Sequence, residues 1–234
     1  MDRRHRAGRG QWPRGPWHRL AACGGMAGPV LFTVAWLVSS LRQPGHPAAA
    51  VQLSGLAADD ARDPQLMIAG FIVLGAGTIG LGAALGRVAR RPAGPWLIVV
   101  AGAATVAAGV FRRDHMLLTG AGFGGESWHN QVHDVVSGVA YAAMLTAPLV
   151  LGRHLAEDPD WAVLARPLML AALASAVAMA VFASRMLEPW NGAVQRIAVT
   201  LPLAAEVLVA ARVVRWCGWS RPRWRAPMPG GGCS

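Results

Sequence analysis

The sequence predicts an all-α fold, a polytopic transmembrane bundle of six helices with both termini in the cytoplasm. Composition, six long apolar runs and a one-sided distribution of arginine predict it. Hydrophobic residues make up 54% of the 234 positions and charged residues 15%, against about 25% charged in an ordinary soluble domain. A helix needs about 20 apolar residues to cross a hydrocarbon core roughly 30 Å thick. Runs of that kind fall near 22–41, 66–86, 94–111, 132–151, 164–183 and 192–211. Helix is required, because backbone groups in lipid must bond within the segment, and no run alternates as a barrel strand would.

The net charge of +10 contains no lysine; all 22 basic residues are arginine. Sixteen of them flank one side of the six runs and six the other, so the positive-inside rule places both termini inside. The acids Asp59, Asp60, Asp63, Asp114, Glu126 and Glu188 fall on the outer side. Such a charge on a soluble protein points to nucleic acid. Here the arginines stand at the ends of apolar runs, so membrane lipid headgroups are the expected partner and nucleic acid is not. An all-arginine chain rich in Ala and Gly also fits a GC-rich bacterial genome, and the expected location is the inner (plasma) membrane.

Each element follows in turn. Residues 1–20 carry six arginines with Gly10, Pro13, Gly15 and Pro16 among them, a composition expected to be disordered or to lie on headgroups. The first run is too long for a signal-peptide core of about 7–15 residues, so it is expected to stay as a span. A polar outer loop, near 42–65, precedes the second span, and Arg87, Arg90 and Arg91 turn the chain back inside. The third span is the shortest. A second long outer loop near 112–131 leads to the fourth span, Arg153 and Arg166 mark the next inner turn, and a short outer turn near 184–191 precedes the sixth. The tail, 216–234, with Trp216, Trp219, Trp224 and its arginines, reads as an interfacial cytoplasmic anchor. Cys23, Cys217 and Cys233 all fall on the inner side without a CxxC pair, so neither a disulfide nor a cysteine metal site is expected.

Small residues set the packing. Gly24-x-x-x-Gly28 and Gly82-x-x-x-Gly86 permit close helix approach. Gly75-Ala76-Gly77-Thr78-Ile79-Gly80 matches the dinucleotide fingerprint, but that motif works at a strand-to-helix turn. In the middle of an apolar span it reads as packing glycine. Pro148 and Pro202 lie inside spans four and six, and each leaves one helical carbonyl without its donor.

The fourth span is the least uniform. His129, His133, Ser137 and Tyr141 recur every four residues, with Asn130 and Asp134 beside them. One helix face therefore carries them all, and lipid disfavours such a face, so it should point into the bundle. Two histidines at i and i+4 also have metal-pair spacing. Asp114 and His115 are the candidates to complete a metal set, with Asp134 as a further ligand, an orienting group or a base. No HExxH accompanies them; the expectation is no cofactor, with a divalent metal such as zinc as the alternative. Arg112, Arg113, Arg185, Glu188, Gln195 and Arg196 sit at the same depth. They read either as helix-end ion pairs or as the mouth of a polar pocket. Glu206 is an acid deep in the sixth span, a candidate proton carrier or counter-ion, with Arg212 as its alternative partner.

With its polar first loop, the His129…His133-Asp134 start of span four and the Trp190-Asn191-Gly192…Gln195-Arg196 start of span six, the chain resembles a bacterial six-span membrane family, domain of unknown function 998. The resemblance covers about residues 20–215 and implies a six-span fold without an assigned activity or catalytic residue. Three readings of function stand beside each other. The first is an outward-facing polar pocket for a small anion or lipid headgroup, and it does not require catalysis. The second is a metal-assisted hydrolase or transferase using His129, His133 and Asp114, and the third is a structural or partner-binding role.

Overall fold

The computed structural model describes residues 15–43, 45, 47–87, 91–116 and 127–218. Six helices carry them: α1 (Pro16–Leu41), α2 (Pro64–Gly86), α3 (Ala93–Val110), α4 (Trp128–Leu155), α5 (Ala165–Ser184) and α6 (Asn191–Gly218). All six are long and apolar enough to cross a membrane, and no strand occurs among the described residues. The chain has the architecture of a multi-pass membrane protein.

Three helices outrun their apolar cores. α1 starts at Pro16, where proline fits because the first helical N–H lacks a partner anyway. Residues 16–20, expected to belong to the disordered start, are therefore helical. α4 begins at Trp128, capped by the Ser127 hydroxyl, which accepts the Asn130 amide. α6 continues to Gly218, so the first residues of the expected tail are helix. Hydropathy marks the part of a helix that lies in hydrocarbon, whereas caps and terminal prolines set where the helix ends. The other tail residues, 219–234, lie outside the described residues, as do residues 1–14, Arg90 and Glu126.

The helices form a ring. Each packs against the next in chain order, and α6 closes the ring against α1. Small residues make the close contacts: Gly24 lies against Gly77, Gly28 against the Leu74 backbone, and Gly82 against Pro95 and Val99. Gly75 of the fingerprint-like run faces Gly102 of α3, so that run joins three helices and is packing glycine, as its position in a span implies. Bulky side chains face outward instead, among them Val30, Leu31, Leu170, Leu173 and Val177. Exposed Trp17 and Trp96 mark one end of the ring, and Trp128 and Trp190 the other, the pattern of two aromatic belts at membrane surfaces.

The connection between α1 and α2 is not a solvated loop. Val51, Leu53, Leu56, Ala57 and Ala58 are all nearly inaccessible and join Phe32, Met67, Phe71, Val199 and Leu203 in one core cluster. Residues 47–61 thus turn into the ring as a plug containing a 3₁₀ turn at Ser54–Ala57. At the opposite end, Trp161 is fully buried from the α4–α5 connection, against Leu155, Leu164 and Val213.

Close helix approach makes a direct prediction. A Cβ at Gly102 would stand 2.6 Å from Gly75 O and 2.8 Å from Ile79 N, so Gly102→Ala should destabilise by about 1–3 kcal/mol. Gly138, with nothing within 4 Å of its added Cβ, should accept alanine with no loss. Unfolding of the two variants in detergent compares them; equal stability would contradict the packing described.

Candidate functional site

The polar residues near the plug fall into separate groups. Arg196 is 9% exposed. Its Nη1 donates to Ala48 O at 2.7 Å and Val51 O at 2.9 Å, and its Nη2 donates to Ser40 Oγ at 3.0 Å. Its guanidinium carbon also lies 5.2 Å from the centre of the Trp36 ring. Gln195 accepts the Leu53 amide at 2.6 Å and donates to Tyr141 OH at 2.6 Å. Ala193 N–H donates to Ala49 O. The first turns of α6 therefore hold the plug's main chain, because buried carbonyls and amides need partners.

Arg113 holds the other side of the plug. Its Nη1 donates to Gln52 Oε1 at 3.2 Å, and its carbonyl accepts the Asp59 amide. Arg112 pairs with Asp59 at 2.9 Å, and His115 lies 3.5 Å from Asp60. Two glycines permit the close seating. A Cβ on Gly55 would run into Met116 O, and one on Gly192 into Val51 O. Arg185 and Glu188 pair with each other at the exposed α5–α6 turn, and neither is brought to the plug by any of these bonds.

His133 is 2% exposed, and its Nδ1 lies 3.0 Å from Ala108 O and 2.7 Å from Phe111 O. Carbonyls only accept, so Nδ1 carries the proton and closes off the carbonyls that the end of α3 leaves open. His129 is exposed and stacks on Trp128 with ring centres 3.7 Å apart. Asp114 accepts both the Ser127 amide and hydroxyl, at 2.7 and 2.6 Å, and its own amide donates to Asn130 Oδ1. The Ser127 bonds lower the Asp114 pKa below the usual carboxylate value. Asp134 accepts from Asn130 Nδ2 at 3.2 Å. Among the described residues no three His, Cys, Asp or Glu side chains are grouped to hold a metal ion. His129, His133, Asp114 and His115 thus have different bonding or stacking partners, while the His115 and His129 rings add to the lowering of the Asp114 pKa.

Inside the ring lies a chamber. Its larger compartment is partly open and is walled by α2 to α6, including Thr78, Thr105, Pro148, Pro202 and Glu206. A second compartment lies nearer the plug, under Leu53, with Ser137 and Tyr141 in its wall. Leu74, Thr105 and Met144 line both. Glu206 accepts the Thr78 hydroxyl at 3.1 Å. Arg212 is not its partner: it donates to Asp160 O at 2.6 Å and lies over Trp161 and Trp216. Ser175 donates to Ala198 O, the carbonyl that Pro202 deprives of its helical donor. The position of Pro202 held a signal for such a donor, which Ser175 in span five supplies.

A family model described as "Protein of unknown function (DUF998)" matches residues 26–212, and the chain belongs to that family. No curated protein matches the chain, and no solved structure does.

The plug contacts generate a prediction. Arg196→Met leaves Ala48 O and Val51 O without that donor, at a cost of about 2–4 kcal/mol. Amide hydrogen exchange should rise across residues 47–58 while α2 and α3 stay protected. Arg196→Lys should not restore protection, because one ammonium does not reproduce the fork. Unchanged exchange in Arg196→Met would remove Arg196 from this role.

Proposed function

We propose that this DUF998-family protein is a small-molecule binding protein whose chamber accepts an apolar or amphipathic ligand from within the bilayer. The observation that carries the reading is the chamber itself, a partly open and mainly apolar space with few polar groups in its wall, the usual form of a small-molecule site. The anion or headgroup reading has less support, because Arg113 and Arg196 already hold the plug and Arg112 faces Asp59. The metal-hydrolase reading lacks a grouped ligand set among the described residues.

The arginine distribution supports a plasma-membrane orientation with both termini inside and the plug facing out. A C-terminal fluorescent-protein fusion should then fluoresce and a C-terminal alkaline phosphatase fusion should be inactive. The opposite pair of results would invert the protein.

Ligand entry is tested with 1-adamantanol, a compact neutral probe. It should raise the melting temperature of the purified full-length protein. Ala147→Phe and Ala101→Leu place bulk on residues that line the chamber and should abolish the shift while leaving the protein folded. No shift in the wild type, or an undiminished shift in both variants, would overturn the reading.

A further inference from the structure

We propose that the chamber recognises a lipophilic ammonium ion, with Glu206 as the carboxylate that anchors it. This deepens the chamber reading and rests on it.

Glu206 stands about 22 Å along α6 from its first residue, taking 1.5 Å per residue, so it lies near the middle of the helix (Asn191–Gly218). Its two oxygens are unequal. Oε2 accepts the Thr78 hydroxyl, whereas Oε1 is buried and has no hydrogen-bond partner among the described residues. A buried acceptor left open is costly, and an isolated buried carboxylate much more so. Water, the carboxyl's own proton or a cation carried in by a ligand can each satisfy that oxygen. An intramembrane acid facing a cavity has this capacity.

The surroundings leave the place for a cation open. Arg212, the nearest arginine along the same helix, is turned to Asp160 O. The wall from α2 to α6 contains Thr78 and Thr105 but no titratable side chain besides Glu206. Thr105 donates to Ala101 O in its own helix. His18, Arg19 and Cys23 of α1 and Arg166 of α5 do not line the chamber. Tyr141, in the compartment nearer the plug, already takes the Gln195 donor. One acidic group in an otherwise apolar wall fits one cationic head on an apolar body. It does not fit an anion, nor a polyol whose several hydroxyls would lack partners.

Proton and ammonium compete for the same oxygen. Ammonium binding should therefore weaken as the pH falls and the carboxyl keeps its own proton, and strengthen on return to neutral pH. No covalent step is involved.

The experiment uses the full chain in detergent and titrates two probes of nearly equal shape, 1-adamantylamine and 1-adamantanol. The amine should bind the wild type about tenfold more tightly than the alcohol, as a charge-assisted bond implies. That preference should shrink at acidic pH. Glu206→Gln should abolish the preference and its pH dependence while the alcohol still binds. Glu206→Asp keeps the charge but draws it back, and should weaken the amine severalfold without affecting the alcohol; it serves as the test if the glutamine variant does not fold. Equal binding of amine and alcohol to the wild type, or a preference that persists in whichever variant folds, would overturn the anchoring role and leave the chamber reading standing. Binding of neither probe to folded wild type would overturn both.

Discussion

A stretch of non-helical backbone is buried at one end of a membrane bundle, and the rest of the structure is arranged around satisfying it. Residues 47–61 bring main-chain amides and carbonyls into a place where water is scarce and where a helix would have bonded them internally. Gln195 and Arg196 supply missing partners from the start of α6, and the Arg113 carbonyl, just past α3, accepts the Asp59 amide. A guanidinium suits the task because one planar fork serves several acceptors at fixed angles. Arg196 also lies over Trp36, so α1, α6 and the plug are joined at a single side chain.

The plug and the chamber are consequences of one another. Glycine and alanine let neighbouring helices approach closely around the ring, but six helices in a ring leave a space at the centre. Leu53 covers that space from one end, and Gln195 connects the cover to Tyr141 in the wall. The two interior prolines of α4 and α6 both line the space, and Ser175 supplies the donor that Pro202 withholds from Ala198. Glu206 is then held by Thr78 of α2, with its other oxygen buried and without a hydrogen-bond partner among the described residues.

The six spans were legible because hydrophobic length is a local property, and the packing role of Gly75 and Gly77 was legible because an apolar context rules out a phosphate loop. The helix ends were less so, since Ser127 and Pro16 act through capping and not through hydropathy. The plug was misread as a polar loop. Asp59, Asp60 and, just beyond it, Asp63 give the connection a polar look, while Val51, Leu53 and Leu56 give too short an apolar run to register. Arg113, Gln195 and Arg196 all bond the plug at one end of the bundle. Depth along the spans did not disclose that their partners would include backbone atoms, which carry no sequence signature. The spacing of His129 and His133 was real, but one helix turn separates an exposed ring stacked on Trp128 from a buried one that closes α3.

The order of synthesis gives the Arg196 contacts another meaning. The plug emerges from the ribosome between the first and second helices, yet Val51 waits for a residue 145 positions later. Until α6 has been inserted, those carbonyls can only be hydrated, so the plug must remain at the water-exposed surface while the earlier helices assemble. Its seating against Arg196 therefore requires α6 to be present. A chain interrupted before α6 would lack the Gln195 and Arg196 bonds that hold the plug's main chain.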